Sequence, residues 1–149
     1  WGCSNQNPIY GVEVDYKNNF RFIGERKELL KASPSKYGWE VPGDENTKTD
    51  TPPWIEGAWM SKYQGKYYLQ YSGPGTEFKS YADAAYVSTH PLGPYTLAPH
   101  NPFSSKPEGF ANGAGHGSTF RDKYGNYWHI ATVTISVKHI FERRLALFP

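Results

Sequence analysis

A single carboxylate, Glu56, stands between Trp54 and Trp59 in the segment 54–60. A carboxyl group held against indole rings is poorly solvated in its charged form, so its pKa rises and it can act as a general acid near neutral pH. The flat apolar faces of tryptophan side chains also suit stacking against a sugar ring. The alternative from these residues alone is a solvated glutamate at a strand end, with core tryptophans beside it.

The surroundings of Glu56 recur 60 residues later in the chain. Residues 63–68 (YQGKYY) resemble residues 123–128 (KYGNYW), and at this offset Glu56 falls on His116. Each unit predicts a hairpin whose turn contains a glycine and whose second strand is aromatic. In a β-propeller, small antiparallel sheets repeat around one axis. The repeat therefore predicts that Glu56 and His116 face one cavity; the alternative for His116 is a hydrogen-bonded core histidine.

The elements that must position these two residues are strands. Aromatic residues make up 17% of the 149 residues, and 15 glycines and 12 prolines accompany them, which favours an all-β fold. We expect residues 1–149 to form about two and a half blades of a β-propeller; because closure needs at least four blades, we expect an internal piece of a larger protein. The predicted strands are 9–14, 19–23, 58–62, 66–72, 84–88, 118–121, 126–133 and 141–148, with one or two helical turns in 25–32 and long loops at 33–53 and 98–115.

Charge and composition argue against several classes of protein. Sixteen Lys and Arg residues against 14 Asp and Glu give a net charge of +2 without a basic stripe, so we expect no nucleic-acid partner. No apolar run is long enough to span a membrane, so we expect no membrane partner. The single cysteine, Cys3, excludes an internal disulfide and a cysteine-based zinc site.

Several segments together resemble glycoside hydrolase family 43, whose members are five-bladed β-propellers. These segments are 54–58 (WIEGA), 65–72 (GKYYLQYS), 88–95 (STHPLGPY), 113–118 (GAGHGS) and 143–149 (RRLALFP). The resemblance runs from Trp1 to Pro149, and the combination of segments in this order makes it specific. Ala58 departs from the family, which often has proline after the glycine that follows the catalytic acid.

The resemblance implies hydrolysis of a glycosidic bond with inversion, with Glu56 as the general acid. The family's catalytic base and its pKa-tuning carboxylate are aspartates of earlier blades, which would precede Trp1. We therefore assign neither role to Asp15, Asp44 or Asp50, and we expect the 149-residue chain to be inactive by itself. The implied substrates are oligosaccharides or polysaccharides with arabinofuranosyl, xylosyl or galactofuranosyl linkages, and we expect a secreted or periplasmic protein.

The resemblance also implies substrate-binding roles. His116 matches a histidine at the propeller centre, and Arg143 matches an arginine that reaches into the pocket, unless a one-residue slip exchanges it with Arg144. Trp54 either stacks on the sugar or belongs to the core. No cofactor is required, although a calcium ion held through water by His116 is compatible with the family. Two non-catalytic alternatives are a carbohydrate-binding propeller and a purely structural repeat domain. Further residues predicted in loops at the pocket rim are Tyr81, Phe110 and Asn112.

Overall fold

The computed structural model describes residues 6–135 and 142–149, so that Cys3 lies outside the described residues. Its nine strands are β1 (Ile9–Asp15), β2 (Arg21–Leu30), β3 (Glu56–Tyr63), β4 (Lys66–Gly73), β5 (Ala82–Ser88), β6 (Thr96–Leu97), β7 (Asn112–Arg121), β8 (Tyr127–Thr134) and β9 (Arg143–Phe148). Helical structure in the described residues is limited to two 3₁₀ turns, Tyr16–Asn18 and Gly38–Glu40. No helix in that part of the chain has the length and apolar character that a bilayer span requires.

The strands form three antiparallel sheets that follow one another along the chain. β1 and β2 pair as a hairpin, β3 to β6 form a four-stranded meander, and β7 to β9 form a three-stranded one. In addition, Trp59 Nε1 of β3 donates a 2.9 Å hydrogen bond to the carbonyl of Thr119 in β7. Trp59 and Thr119 are 60 residues apart, so the two copies of the repeat contact each other at equivalent positions.

The prediction of helical turns in residues 25–32 is wrong. Residues 21–30 form β2, which pairs with β1 through partners such as Tyr10 with Glu28 and Val14 with Phe22. The glutamates, lysine and leucines of this segment have good intrinsic helix propensity, but tertiary context overrides such weak preferences. Most of β2 is exposed on both faces, so the alternation of apolar and polar residues that announces a strand is missing from its sequence.

The predicted loop at 98–115 ends earlier than expected, because β7 begins at Asn112. The glycine-rich segment 113–117 has the composition of a loop, yet it pairs with β8. Its register shifts between Gly113 and Gly115 and again between Gly115 and Ser118. Such bulges bend a strand and re-aim its side chains, often beside functional sites. The irregular part of β7 is the part that carries His116.

The main core lies between the first two sheets. Ile9 and Leu30 of the hairpin pack with Leu69 of the second sheet and with Ile55 just before that sheet. Ile55 is almost completely buried, and burial of such a side chain contributes about 1.5–3 kcal/mol. Because Ile55 directly precedes β3, this packing fixes the position of the chain where Glu56 begins the strand. A smaller cluster within the third sheet consists of Ala114, Ala131 and Val133.

Candidate active site

Glu56 and His116 lie side by side at the start of the second and third sheets. Glu56 is the first residue of β3, and His116 lies within the bulged segment of β7. The Nδ1 atom of His116 lies 3.7 Å from Oε1 of Glu56, a separation longer than a direct hydrogen bond but within ion-pair range. The side chain of His116 is 54% exposed and that of Glu56 is 25% exposed. The two residues thus form an accessible pair, and their roles stay predictions.

Tyr81, from the segment just before β5, contacts the same carboxylate. Its hydroxyl donates a 2.7 Å hydrogen bond to Oε1 of Glu56, and its side chain is buried, with 2% exposure. Burial raises the pKa of the Tyr81 hydroxyl well above its usual range, so this group remains a donor. Tyr81 is predicted in a loop at the pocket rim, whereas in the structure it is buried behind Glu56. The pairing of β4 with β5, which joins Gly73 to Ala82, brings Tyr81 to this position.

The expected upward shift in the pKa of Glu56 is wrong for this chain. The His116 imidazole beside it lowers the pKa of the Glu56 carboxyl, and the Tyr81 hydroxyl and the positive charge of Arg143 act in the same direction. Burial opposes them but is smaller than the His116 contribution. The neighbouring carboxylate in turn raises the pKa of His116 against the opposing effect of burial. The two tryptophans on which the prediction depended are themselves 44% (Trp54) and 42% (Trp59) exposed.

Arg143 lies close enough to this pair to influence both members. Its positive charge lowers the pKa of Glu56 and that of His116. Its Nη1 atom donates a 2.9 Å hydrogen bond to Oγ1 of Thr76, in the loop after β4. The next residue, Arg144, instead forms an ion pair of 3.3 Å with Glu142. The structure therefore favours Arg143 over Arg144 at this location.

The remaining predicted residues are less closely tied to Glu56. The backbone N–H of Trp54 donates a 2.8 Å hydrogen bond to the carbonyl of Pro74, and its side chain is half-exposed. Phe110 is highly exposed, and Asn112 is the first residue of β7, paired with Thr134. We name Glu56, Tyr81, His116 and Arg143 together the Glu56 site.

A buried polar layer beneath the Glu56 site is absent from the sequence-based prediction. Asp83 of β5 is 1% exposed, and its Oδ2 atom lies 3.0 Å from Nε2 of His129. The hydroxyl of Ser72 donates a hydrogen bond to the other oxygen of Asp83. The segment Ala82-Asp83-Ala84 contains the available signal, a lone carboxylate among small apolar residues, because a buried charge needs compensating partners.

The donor set of the Glu56 site does not fit a directly bound calcium ion. Calcium takes six to eight oxygen ligands, whereas His116 offers an imidazole nitrogen. Across residues 6–135 and 142–149, no group of three or more histidine, cysteine, aspartate or glutamate side chains is placed to hold a metal. The water-mediated calcium ion near His116 therefore stays a prediction.

The geometry makes the two oxygens of Glu56 unequal. In the described part of the chain, the contacts of this carboxylate with Tyr81 and His116 both involve Oε1. Oε2 is therefore the oxygen better placed to carry a proton and to transfer it to a bound molecule. An exposed imidazole and a guanidinium beside it provide hydrogen-bond partners for polar groups of that molecule.

Comparisons with known proteins agree with this arrangement of strands. A beta-xylosidase from Xylanibacter ruminicola is 33% identical over 76 residues, which is 51% of this chain and 23% of the relative. An endo-1,4-beta-xylanase from Bacteroides thetaiotaomicron has a TM-score of 0.77 at 25% identity, over 95% of this chain and 45% of that one. A thermostable family-43 glycoside hydrolase has a TM-score of 0.76 at 22% identity, over 93% and 42% of the two chains.

These likenesses confirm the predicted all-β fold as part of a β-propeller. The chain spans less than half the length of each of these relatives. The model of the family described as "Glycosyl hydrolases family 43" matches residues 5–147, which is nearly the whole chain. The chain therefore belongs to glycosyl hydrolase family 43.

Proposed function

We propose that this chain is part of an inverting glycoside hydrolase in which Glu56 is the general acid. The observation that carries the proposal is the convergence of Glu56, Tyr81, His116 and Arg143 from four separate segments of a family-43 fold. A carboxyl group with one oxygen fixed by a buried donor is well oriented to deliver a proton from the other.

In the proposed reaction, protonated Oε2 of Glu56 transfers its proton to the leaving oxygen while the bond from that oxygen to the anomeric carbon breaks. A water molecule forms the new bond from the opposite face of the sugar and gives its proton to a second carboxylate, the base. Inverting pairs of carboxyl groups stand roughly 6.5–9.5 Å apart, so that this water fits between them. The hydroxyls of the sugar would be bound by His116 and Arg143.

None of the aspartates of the described chain is assigned as the base. Asp15 accepts hydrogen bonds from the turn that follows it, and Asp44 accepts one from the backbone N–H of Lys79. Asp50 lies in the exposed loop before β3, Asp83 is buried with its own partners, and Asp122 holds the turn between β7 and β8. The proposal therefore assigns the base to another part of the propeller, in line with relatives more than twice as long as the matched region.

The lowered pKa of Glu56 must rise before this residue can act as an acid at neutral pH. Two effects of the complete site work in that direction. A base carboxylate across the sugar disfavours the ionised form of Glu56 by like-charge repulsion, and a bound sugar expels the water that solvates it. The proposed substrate linkages are xylosyl first, because relatives bear the names beta-xylosidase and endo-1,4-beta-xylanase, followed by arabinofuranosyl and galactofuranosyl linkages.

A carbohydrate-binding propeller without catalysis is the second candidate. The lowered pKa of Glu56 favours it, because an ionised carboxylate is a good acceptor for sugar hydroxyls and a poor acid. This candidate predicts sugar binding without turnover by the whole protein that contains this chain.

The deciding experiment compares Glu56→Gln with the wild type in that whole protein, using xylosides with an alkyl or sugar leaving group and with an activated aryl group. We expect kcat to fall about 10²–10⁴-fold on the first substrates, and much less on the activated aryl xyloside, whose leaving group needs no proton. Glu45→Gln, at an exposed loop position, is the matched control and should leave both rates unchanged. Equal losses on both substrates, or no loss, would contradict the role of Glu56 as a proton donor.

A further inference from the structure

Asp83 is a buried carboxylate that the proposed reaction does not use. It lies in β5 with 1% exposure, and a charge so far from water requires hydrogen-bond partners. Its Oδ1 atom accepts a hydrogen bond from the Ser72 hydroxyl. Its Oδ2 atom accepts one of 2.9 Å from the backbone N–H of Gly117 and lies 3.0 Å from Nε2 of His129. Asp83 thus connects β4, β5, β7 and β8.

Two of these connections reach the backbone that carries His116. The backbone N–H of His116 donates a 2.7 Å hydrogen bond to Oγ of Ser72, and the next N–H, from Gly117, donates to Asp83. Ser72 therefore accepts from His116 while its own proton is donated to Asp83. Because the hydroxyl of serine has one proton, its donation to Asp83 orients an oxygen lone pair for the N–H of His116.

The backbone that these bonds hold adopts an unusual conformation. His116 has φ 53° and Ala114 has φ 94°, values that residues with a Cβ atom rarely adopt unless their surroundings impose them. The packing around the segment is also close. A Cβ atom at Gly117 would lie 2.4 Å from Oδ2 of Asp83, and one at Gly115 would lie 2.5 Å from the ring of Tyr81.

We propose that Asp83 is a positioning residue that acts through Ser72 and the β7 backbone to place the imidazole of His116 against Glu56. This inference rests on the proposed function of the Glu56 site. Asp83 itself cannot touch a substrate, because it is buried beneath that site. Its effect on the reaction passes through the orientation of His116, which lies 3.7 Å from the proposed acid.

The alternative is that Asp83 only stabilises the fold, and a double-mutant cycle separates the two roles. We choose Ser72→Ala as the main variant because it removes one hydroxyl and leaves the Asp83–His129 contact in place. In the whole enzyme we expect Ser72→Ala to lower kcat/KM about 10²-fold, the loss typical of an active-site group displaced by about 1 Å. In a His116→Ala background, the same Ser72→Ala change should cost less than about 2-fold, because the residue through which it acts is already gone.

A matched control and a second variant keep the test independent of general stability. Ser88→Ala removes another buried serine hydroxyl, at the opposite end of β5 from Asp83, and should leave kcat/KM unchanged. Asp83→Asn keeps the shape of the side chain but removes its charge. We expect it to shift the amide proton resonance of Gly117 upfield, because its charge-assisted hydrogen bond is lost. A structure of Ser72→Ala should show the His116–Glu56 separation increased beyond 3.7 Å.

The outcomes distinguish this inference from the proposed function. If Glu56→Gln abolishes activity but Ser72→Ala costs the same factor with and without His116, then Asp83 and Ser72 do not act through His116, and the inference fails. If Glu56→Gln retains activity while Ser72→Ala displaces His116, the proposed function fails and the positioning of His116 stands. An unchanged His116 position in Ser72→Ala would overturn the inference directly.

Discussion

The hairpins β3–β4 and β7–β8 are the two copies of the repeat. Each has an outer end, where the turn lies, and a site end, where Glu56 or His116 lies, and the two copies differ at both ends. At the outer end, β3 and β4 are joined by the two-residue turn Gln64-Gly65, in which both residues have positive φ, as two-residue hairpin turns of type I′ require. The corresponding connection between β7 and β8 is longer and is organised by Asp122. At the site end, the hairpins place Glu56 and His116 in contact.

This difference indicates where the repeat is constrained. The outer turns face solvent, where backbone changes disturb little packing. At the site end, the two sheets contact each other, and glycines are required because there is no room for larger residues. Close packing therefore constrains the backbone where the sheets meet, while the side chains at the equivalent positions 56 and 116 differ in chemistry, one acidic and one basic.

The largest expected effect comes from comparing two glycines of the same hairpin. Gly57 and Gly65 have φ values of 63° and 77°, so alanine at either costs about 1–2 kcal/mol in backbone conformation. At Gly57 the new Cβ would also lie 2.7 Å from Oγ of Ser72, whereas nothing lies within 4 Å at Gly65. We expect Gly57→Ala to reduce the free energy of unfolding by about 1–3 kcal/mol more than Gly65→Ala, as measured by urea denaturation.

The Gly65→Ala variant is the control for the shared backbone cost, because the two positions differ mainly in their surroundings. Equal losses of stability in the two variants would mean that the site end is no more tightly packed than the outer turn. That result would remove the physical basis for the contrast between the two ends of the hairpin.

A second prediction concerns the outer turn of the other hairpin. The carboxylate of Asp122 accepts hydrogen bonds of 2.9 Å from the backbone N–H groups of Tyr124 and Asn126 and from Nε1 of Trp128. These donors, led by the Trp128 indole, lower the pKa of Asp122 to about 2. A lowered pKa means that the stabilisation is present above the ordinary pKa of aspartate and is lost as the pH falls towards 2.

We therefore expect the melting temperature of the wild type to fall more steeply than that of Asp122→Asn as the pH is lowered from 6 to 2.5. Asp50→Asn, at an exposed loop position, controls for the loss of one negative charge. Parallel melting curves for the wild type and Asp122→Asn would show that this carboxylate does not organise the turn.

The convergence of Glu56 and His116 could be predicted from the sequence because it follows from one offset applied to an aromatic hairpin. Most strands could also be predicted from the sequence, because their apolar residues alternate with polar ones. Residues 24–30 of β2 were not, because their side chains are mostly exposed on both sides and leave no alternating pattern. The segment 113–117 was not, because a bulged strand made largely of glycine has the composition of a loop.

The direction of the pKa shift at Glu56 could not be predicted, for a different reason. It is set first by the imidazole of His116 across the sheets and then by Tyr81, which is 25 residues away in the chain, whereas the prediction considered only the indoles beside Glu56 along the chain. The polar layer of Ser72, Asp83 and His129 likewise forms between strands that sequence analysis could locate but could not align in register. Local sequence predicted the neighbours of Glu56 along the chain, whereas its pKa is set by neighbours across the sheets.

The smallest expected effect is a change in the pKa of His116 when the residue at the equivalent position of the repeat, Glu56, loses its charge. Glu56→Gln should lower the pKa of His116, because the adjacent carboxylate is the main cause of its raised value. NMR titration of the His116 ring protons measures this change, and the same titration at His100 controls for general effects of the substitution.

The pair also has a defined effect on stability as the pH changes. The raised pKa of His116 contributes stability that is complete below its ordinary value of 6.5 and is lost as the pH rises through the folded value. The lowered pKa of Glu56 contributes above its ordinary value of 4.5 and is lost as the pH falls through the folded value. The contact therefore stabilises the fold most between these limits, but only slightly, because His116 is 54% exposed and solvent screens the charges. An unchanged His116 titration in Glu56→Gln would mean that the two copies of the repeat meet without electrostatic coupling.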